Sequence, residues 1–348
     1  MPDKVHYRPI EPEDSSMLAA LIATSPSTGA IGFTYDYLAD FMQINKAFAS
    51  DLHGIVAVSD AKIVGMVLGE RVKIQLEGQT CDAAYISNLY VHPDYRRKGI
   101  ARKMAEVGFQ YIGNIFGSNL ALYAAVVENN ISMGLIQSYR FQSTHQIQGG
   151  IVPMRRIPVR EKLNLVVRTA ANDDLEDIAN GMNAFYREHN LWRPVTPTSL
   201  REFVEMEVAG ISPNKLYVVT KRGRIVGGLS LSDQSRLVRM RLEKLPFHIQ
   251  LLGAVLGVLP KSGILHSLTI RRVWFKDGEL NASQYLWQYL RYHLRNRGGC
   301  FGIAFDPRDK VADVFQLPFW LPMFNANYTI RTDKEVSTDR FVYCVAGP

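Results

Sequence analysis

The densest run of chemistry-bearing residues in the chain is Arg96-Arg97-Lys98-Gly99-Ile100-Ala101-Arg102. Behind it, apolar Ile100, Met104, Val107, Tyr111 and Ile115 recur at steps of four, three, four and four, the period of a helix. Ahead of it, Ala83 to Val91 reads as a strand and His92 to Lys98 as a basic turn holding Pro93. The cations therefore stand where a strand hands over to a helix. There the first backbone N–H groups lack intrahelical acceptors and the helix dipole favours negative charge. Gly99 has no Cβ to keep a phosphate from the backbone, Ala101 keeps the next turn small, and Arg96, Arg97, Lys98 and Arg102 add donors. The spacing predicts a diphosphate cradle. It is neither a Gly-Lys-Ser/Thr phosphate loop nor a Gly-x-Gly-x-x-Gly dinucleotide turn.

The elements around this turn recur. At 348 residues the chain is long enough for two cores. Residues 6–22 and 166–182 each pass from a short strand through an acidic turn into an apolar-periodic segment, with Asp14 and Asp173 or Asp174 where N-caps are expected. Residues 54–70 and 216–232 each read as strand, turn and strand. Setting Val64-Gly65 on Val226-Gly227 gives an offset of 162, and Leu89-Tyr90-Val91 on Leu268-Thr269-Ile270 gives 179. The extra residues include LLGAVLGVL (251–259), which reads as added core or as a subunit contact that would make a homodimer. Residues 153–163 combine two prolines with charge and no period, so they read as a linker between units 1–157 and 158–348. At the turn matching Arg96–Ala101, the second unit has Phe275, Gly278 and Leu280, with acidic Asp277 and Glu279, a poor diphosphate site.

With Val91-His92-Pro93 leading into Arg96, Gly99 and Ala101, the segment resembles the GNAT superfamily of acyl-CoA-dependent N-acyltransferases, whose signature is Arg/Gln-x-x-Gly-x-Gly/Ala after a strand ending Val-x-Pro. Asn119 to Val127 is the apolar run of a buried parallel strand, and Asn129, Leu135 and Phe141 follow at the spacing of the family's second signature. Ser132, Ile136 and Arg140 depart from it, standing where that pattern has Ala, Tyr and Gly. The resemblance implies an α+β fold of two GNAT-like repeats, each a mixed, mostly antiparallel sheet with a splayed central parallel pair flanked by helices. The first repeat would be catalytic and the second degenerate. It implies acetyl-CoA as cofactor, its arm held by the backbone at Leu89, Tyr90 and Val91, its diphosphate by Arg96, Arg97, Lys98, Gly99, Ile100, Ala101 and Arg102, with Asn129 nearby. The activity implied is acetyl transfer to a primary amine of a small molecule or peptide.

The family's tyrosine that protonates the departing thiolate is replaced by Ile136, which donates no proton. Tyr139, one turn further along, is the candidate acid. Tyr85 occupies the position of a common family base, and Glu70, at a strand end, is a base acting through water. Ser87 and Asn88 are candidates for the acceptor pocket, Tyr123 reads as packing, and Asp82 as a surface turn residue. A non-catalytic acyl-CoA-binding regulatory protein is the competing reading.

Composition bounds the rest. Lys and Arg exceed Asp and Glu by 15 to 14 in residues 1–160 and by 25 to 19 beyond, so the net +7 sits mainly in the second half. No stacked aromatic pattern accompanies it, and the excess reads as a solvated face rather than a nucleic-acid surface. No apolar run reaches the length of a membrane span, and the start of the sequence lacks a basic-then-apolar leader pattern. Three scattered cysteines and histidines without ligand spacing predict a reducing, cytoplasmic setting and no metal.

Overall fold

The computed structural model of the protein describes residues 5–26, 32–49, 51–117, 121–127, 130–247, 250, 253 and 262–344; Asn129 and most of the 251–259 stretch lie outside them. The first half runs β1 (His6–Pro9), α1 (Ser15–Ala23), β2 (Gly32–Tyr37), α2 (Phe41–Phe48), β3 (Leu52–Ser59), β4 (Lys62–Leu76), β5 (Gln79–Val91), α3 (Ile100–Phe116), β6 (Ala121–Val127), α4 (Asn130–Ser138) and β7 (Gln142–Pro153). The second half runs β8 (Leu165–Thr169), α5 (Leu175–Phe185), β9 (His189–Asn190), α6 (Pro197–Glu205), β10 (Asn214–Lys221), β11 (Arg224–Asp233), β12 (Val238–Lys244), β13 (Ile264–Leu265) and β14 (Ser267–Phe275). It then continues through α7 (Leu280–His293), β15 (Cys300–Phe305), α8 (Lys310–Phe315), β16 (Met323–Arg331) and β17 (Phe341–Val342). The two hairpins, the long helix behind the basic turn and both apolar parallel strands fall where the sequence pattern puts them.

Among the described residues, twelve strands make one mixed sheet in the order β1-β3-β4-β5-β6-β16-β7-β15-β14-β11-β10-β8. Read from either edge inward, the order repeats: β1, β3, β4, β5, β6 mirror β8, β10, β11, β14, β15. At the centre the halves exchange strands. β16, from the second half, pairs antiparallel with β6 from Leu122↔Arg331 to Val127↔Ala326. β7, from the first half, pairs antiparallel with β15 from Cys300↔Pro153 to Phe305↔Gln148. The halves also share a small sheet in which β2 lies against β12.

Each half buries helices on both faces of its strands. In the first, Ile100, Met104, Phe109 and Ile112 of α3 pack on Ile55, Val67, Ala84 and Ile86, while α1 and α2 bring Leu18, Leu21 and Phe41 to Val56, Met66 and Leu68 on the opposite face. This alternation along β4 is the period of two that a strand buried on both faces requires.

The acidic turns before α1 and α5 repeat atom for atom. Asp14 accepts from Arg8 at 2.7 Å and from the Glu11 N–H at 2.9 Å, and Asp174 accepts from Arg168 at 2.5 Å and from the Ala171 N–H at 2.6 Å. The aspartates thus cap the turn ahead of each helix, not the helix itself. Arg8, opposed by burial and helped by the Glu11 N–H, holds the Asp14 carboxyl below the usual carboxylate range. A depressed pKa contributes stability above the unfolded value of about 4 and loses it as pH falls through the folded one. Asp14→Asn is expected to cost about 2 kcal/mol at pH 7. In urea titrations the gap to the parent protein should close below about pH 4; a gap unchanged at acid pH would show that the pair contributes nothing.

Met323–Arg331 enters the central sheet between β6 and β7 of the first half, while Phe341–Val342 pairs in parallel with His189–Asn190 and Arg340 forms an ion pair with Glu77 of the first half. In the aromatic segment 317–324, Phe319 is fully exposed, Trp320 and Phe324 nearly half so, and only Leu321 is buried. Two prolines and the preceding left-handed Gln316 (φ 48°) interrupt its period and turn it outward.

Candidate active site

β5 and β6 run parallel but share ladder pairs only at Ala83↔Ala121, Ala84↔Leu122 and Tyr85↔Tyr123. Beyond Tyr85 they part, and one edge of Ile86–Val91 faces the gap while the other stays paired to β4. A bulge marks the opening. Between the pairs Leu68↔Ser87 and Met66↔Tyr90, β4 has only Val67 where β5 has Asn88 and Leu89, and Asn88 takes φ 52°. Bulges re-aim backbone groups beside sites, and here Leu89, Tyr90 and Val91 lie along the open edge.

The chain then turns through Pro93–Tyr95 and reaches Gly99, in the left-handed region at φ 79°, immediately before α3. A Cβ added there would meet nothing within 4 Å. Arg96 Nε donates to the Val91 carbonyl at 3.1 Å, tying the turn to the strand end. Lys98 Nζ lies 4.7 Å from the centre of the Tyr95 ring. Arg96, Arg97, Lys98 and Arg102 are exposed, while Ile100 is buried and anchors the helix start. The expected cationic turn and open glycine therefore stand at the head of α3, beside the gap.

On the sheet face opposite α3 lies a buried polar cluster. Glu70 and Tyr85 are cross-strand partners, and Tyr85 and Tyr123 rings are 5.0 Å apart. Arg193, from the second half, donates to both Glu70 carboxylate oxygens at 3.1 Å and to the Tyr123 hydroxyl at 3.0 Å, and stands 5.6 Å over the Tyr85 ring. Glu70 is thus not an exposed strand end. Burial raises its pKa, and the charge of Arg193 pulls it only part of the way back. Burial likewise raises Tyr85, and pushes Tyr123 up to about 12. Both phenols are protonated at neutral pH and can donate, not accept, a proton.

Tyr139 stands apart from this cluster. α4 ends at Ser138, and the Tyr139 hydroxyl donates to the Arg102 carbonyl at 2.8 Å, its ring edge-on to Phe109. Ile136 packs with the α3 core. Asp82 is exposed, but within β5 instead of a turn. Sequence reading missed Arg193 and treated Tyr123 as packing. Nothing in Leu191-Trp192-Arg193-Pro194 signals a site, because its function arises only from the contact between halves.

The second half repeats the opening with a shorter turn. β14 and β15 pair in parallel only from Ser267↔Cys300 to Thr269↔Gly302, and a bulge at Arg271 follows. Gly278, again at φ 79°, precedes α7. The last parallel pair is offset by 184 (Tyr85 to Thr269) but the glycine by 179, so the connection has lost five residues. The alignment of Leu89–Val91 on Leu268–Ile270 is corrected accordingly. Phe275 does not replace Arg96; it is the buried last strand residue, paired with Gly227 as Val91 is with Gly65. The carboxylate at the helix start, Glu279, is taken by Lys221 at 2.8 Å.

Comparison with known proteins bears on this geometry. The sequence model of the acetyltransferase (GNAT) family matches residues 21–139. No curated protein sequence matches. Among solved structures, Saccharomyces cerevisiae N-myristoyltransferase with bound myristoyl-CoA is similar at TM-score 0.65 and 12% identity, over 94% of this chain and 82% of that one. A GCN5-related N-acetyltransferase from Anabaena variabilis gives 0.55 and 12%, over 94% and 72%. Another, from Sphaerobacter thermophilus, gives 0.57 and 12%, over 95% and 96%. At such identity the likeness is one of fold, and it extends over nearly the whole chain. The splayed parallel pair, the cationic turn and the match to the acetyltransferase (GNAT) family model coincide in one stretch, residues 21–139.

Proposed function

We propose that the first half transfers an acyl group, acetyl in the simplest case, from acyl-CoA to a primary amine. The observation that carries this reading is the open, left-handed Gly99 at the head of α3, directly beside the gap between β5 and β6. The cofactor supplies an activated thioester. The N–H groups from Gly99 to Arg102, with Arg96, Arg97 and Lys98, would hold its diphosphate, and the free edge at Leu89–Val91 its arm. The amine would arrive on the face of Glu70, Tyr85 and Tyr123. Glu70 accepts the amine proton, directly or through water, and a protonated phenol of Tyr85 or Tyr123 returns one to the leaving sulfur. Tyr139, its proton engaged by the Arg102 carbonyl, braces the helix start. The second half, with its shortened and acidic turn, is read as a degenerate repeat that closes the acceptor side and binds no CoA.

Thiol release from acetyl-CoA with an amine panel tests this. Glu70→Gln should lower kcat about 100-fold or more while leaving CoA affinity unchanged. In the parent protein kcat should rise with pH through a value above the ordinary carboxylate range, because Glu70 works deprotonated and burial holds its pKa up against Arg193 and Arg271, with Tyr85 and Tyr123 facing it as neutral phenols. A Glu70→Gln enzyme at full rate would remove Glu70 from catalysis. CoA binding with no turnover on any amine would instead support the regulatory reading, which the apolar packing of Ile136 favours.

A further inference from the structure

The bulge in β14 concentrates positive charge where the halves meet. Arg272 lies opposite Ser230 on β11, Ile270 opposite Leu231, and Arg271 is the extra residue. Arg271 Nε donates to Ser232 Oγ at 3.2 Å, and Ser232 shares a strand face with Ser230, so both guanidinium groups lie on one side of the sheet. Arg271 also stands 5.6 Å over the ring of Phe48, at the end of α2 in the first half. The Tyr343 hydroxyl donates to the Arg271 carbonyl at 3.0 Å. Arg193, already engaged with Glu70, adds a third guanidinium: its charge and that of Arg272 reinforce burial in lowering the pKa of Arg271 to about 10.

Arg272 is the informative member. Its face is covered by Phe203 at 5.2 Å, but Nε and Nη1, which point in the guanidinium plane, are buried without a hydrogen-bond partner, as is Ser230 Oγ beside it. A buried cation with unmet donors is costly, by more than a neutral group would be, and is retained where an anion completes it. Nε–H and the Nη1 N–H groups point to different sides of the guanidinium, and each can donate one charge-assisted hydrogen bond to a carboxylate oxygen.

We propose that the acceptor is an amino acid-like molecule whose carboxylate is received by Arg272, with Arg271 alongside, leaving its amine to face Glu70. This rests on the amine-acylating reading above. The expected preference for a carboxylate over its uncharged amide is about tenfold or more, the usual value of charge-assisted hydrogen bonds.

The experiment uses the full chain and calorimetric binding of the twenty L-amino acids and their carboxamides, with and without CoA. The expected result is at least one acid bound about tenfold or more tightly than its amide, with the difference abolished in Arg272→Gln and CoA affinity kept. Arg271→Lys provides a second variant should Arg272→Gln fail to fold; it retains the charge but loses the fork, and should lose part of the preference. Acid and amide bound alike, a preference unaffected by these substitutions, or no amino acid bound would each overturn the proposal. A failure of CoA to bind would instead count against the acyltransferase reading, since the acid–amide contrast is also measured without it.

Discussion

Gly99→Glu is expected to abolish measurable CoA binding while the protein stays folded. Nothing lies within 4 Å of the added Cβ, so the side chain is accommodated and the fold loses only the cost of a non-glycine residue at φ 79°, about 1–2 kcal/mol. The carboxylate, however, would stand at the helix start. Like charges about 4 Å apart repel by about 4 kcal/mol at an effective dielectric of 20, roughly a thousandfold in affinity. Gly278→Glu is a matched control, because Gly278 has the same φ and the same open surroundings. It should show a similar loss of stability and an unchanged CoA affinity. Calorimetry on both variants decides the matter: CoA affinity untouched at Gly99, or equally lost at Gly278, would dissociate the diphosphate from the first turn.

The second large effect concerns the exchanged strands. Residues 1–157 expressed alone should fail to give a monomer that binds CoA, and co-expression with 158–348 should restore it. Without β16 the outer edge of β6 has no partner, and Ala121 and Tyr123 lose Ala326, Tyr328 and Ile330 from their packing. At about 1.5–3 kcal/mol for each large apolar side chain, this loss approaches the whole stability of a domain. β7 would meanwhile present the edge that β15 and β16 cover, an invitation to self-association. Size-exclusion chromatography and calorimetry on the fragment provide the check. A monodisperse fragment with the parent's CoA affinity would show that the exchange is dispensable.

What could be read from the sequence was whatever depends on local pattern. Steps of three and four along α3, two hairpins and apolar runs at β6 and β15 are set by which faces are buried, and so they leave a period. The cationic turn was legible because its residue types and its place before a helix suffice to name its chemistry. The cluster at Glu70 was half legible: Glu70 and Tyr85 are cross-strand neighbours within one half, but Arg193 comes from a loop 123 residues away. Chain order carries no trace of that meeting. The same holds for β7 and β16, whose exchange is invisible to any pattern within either strand. It also holds for the five residues missing before Gly278, because an alignment on apolar triplets slid past a deletion that only the ladder pairs locate.

The exchange has a consequence for biosynthesis. As the polypeptide leaves the ribosome, the splayed parallel pair must wait for Met323–Arg331 before its flank is filled. At ordinary elongation speeds that is about 10–40 s after Val127 has been made. During this interval the edge of β6 that Met323–Arg331 later covers is bare, and an unpaired strand edge is a template for pairing with other chains.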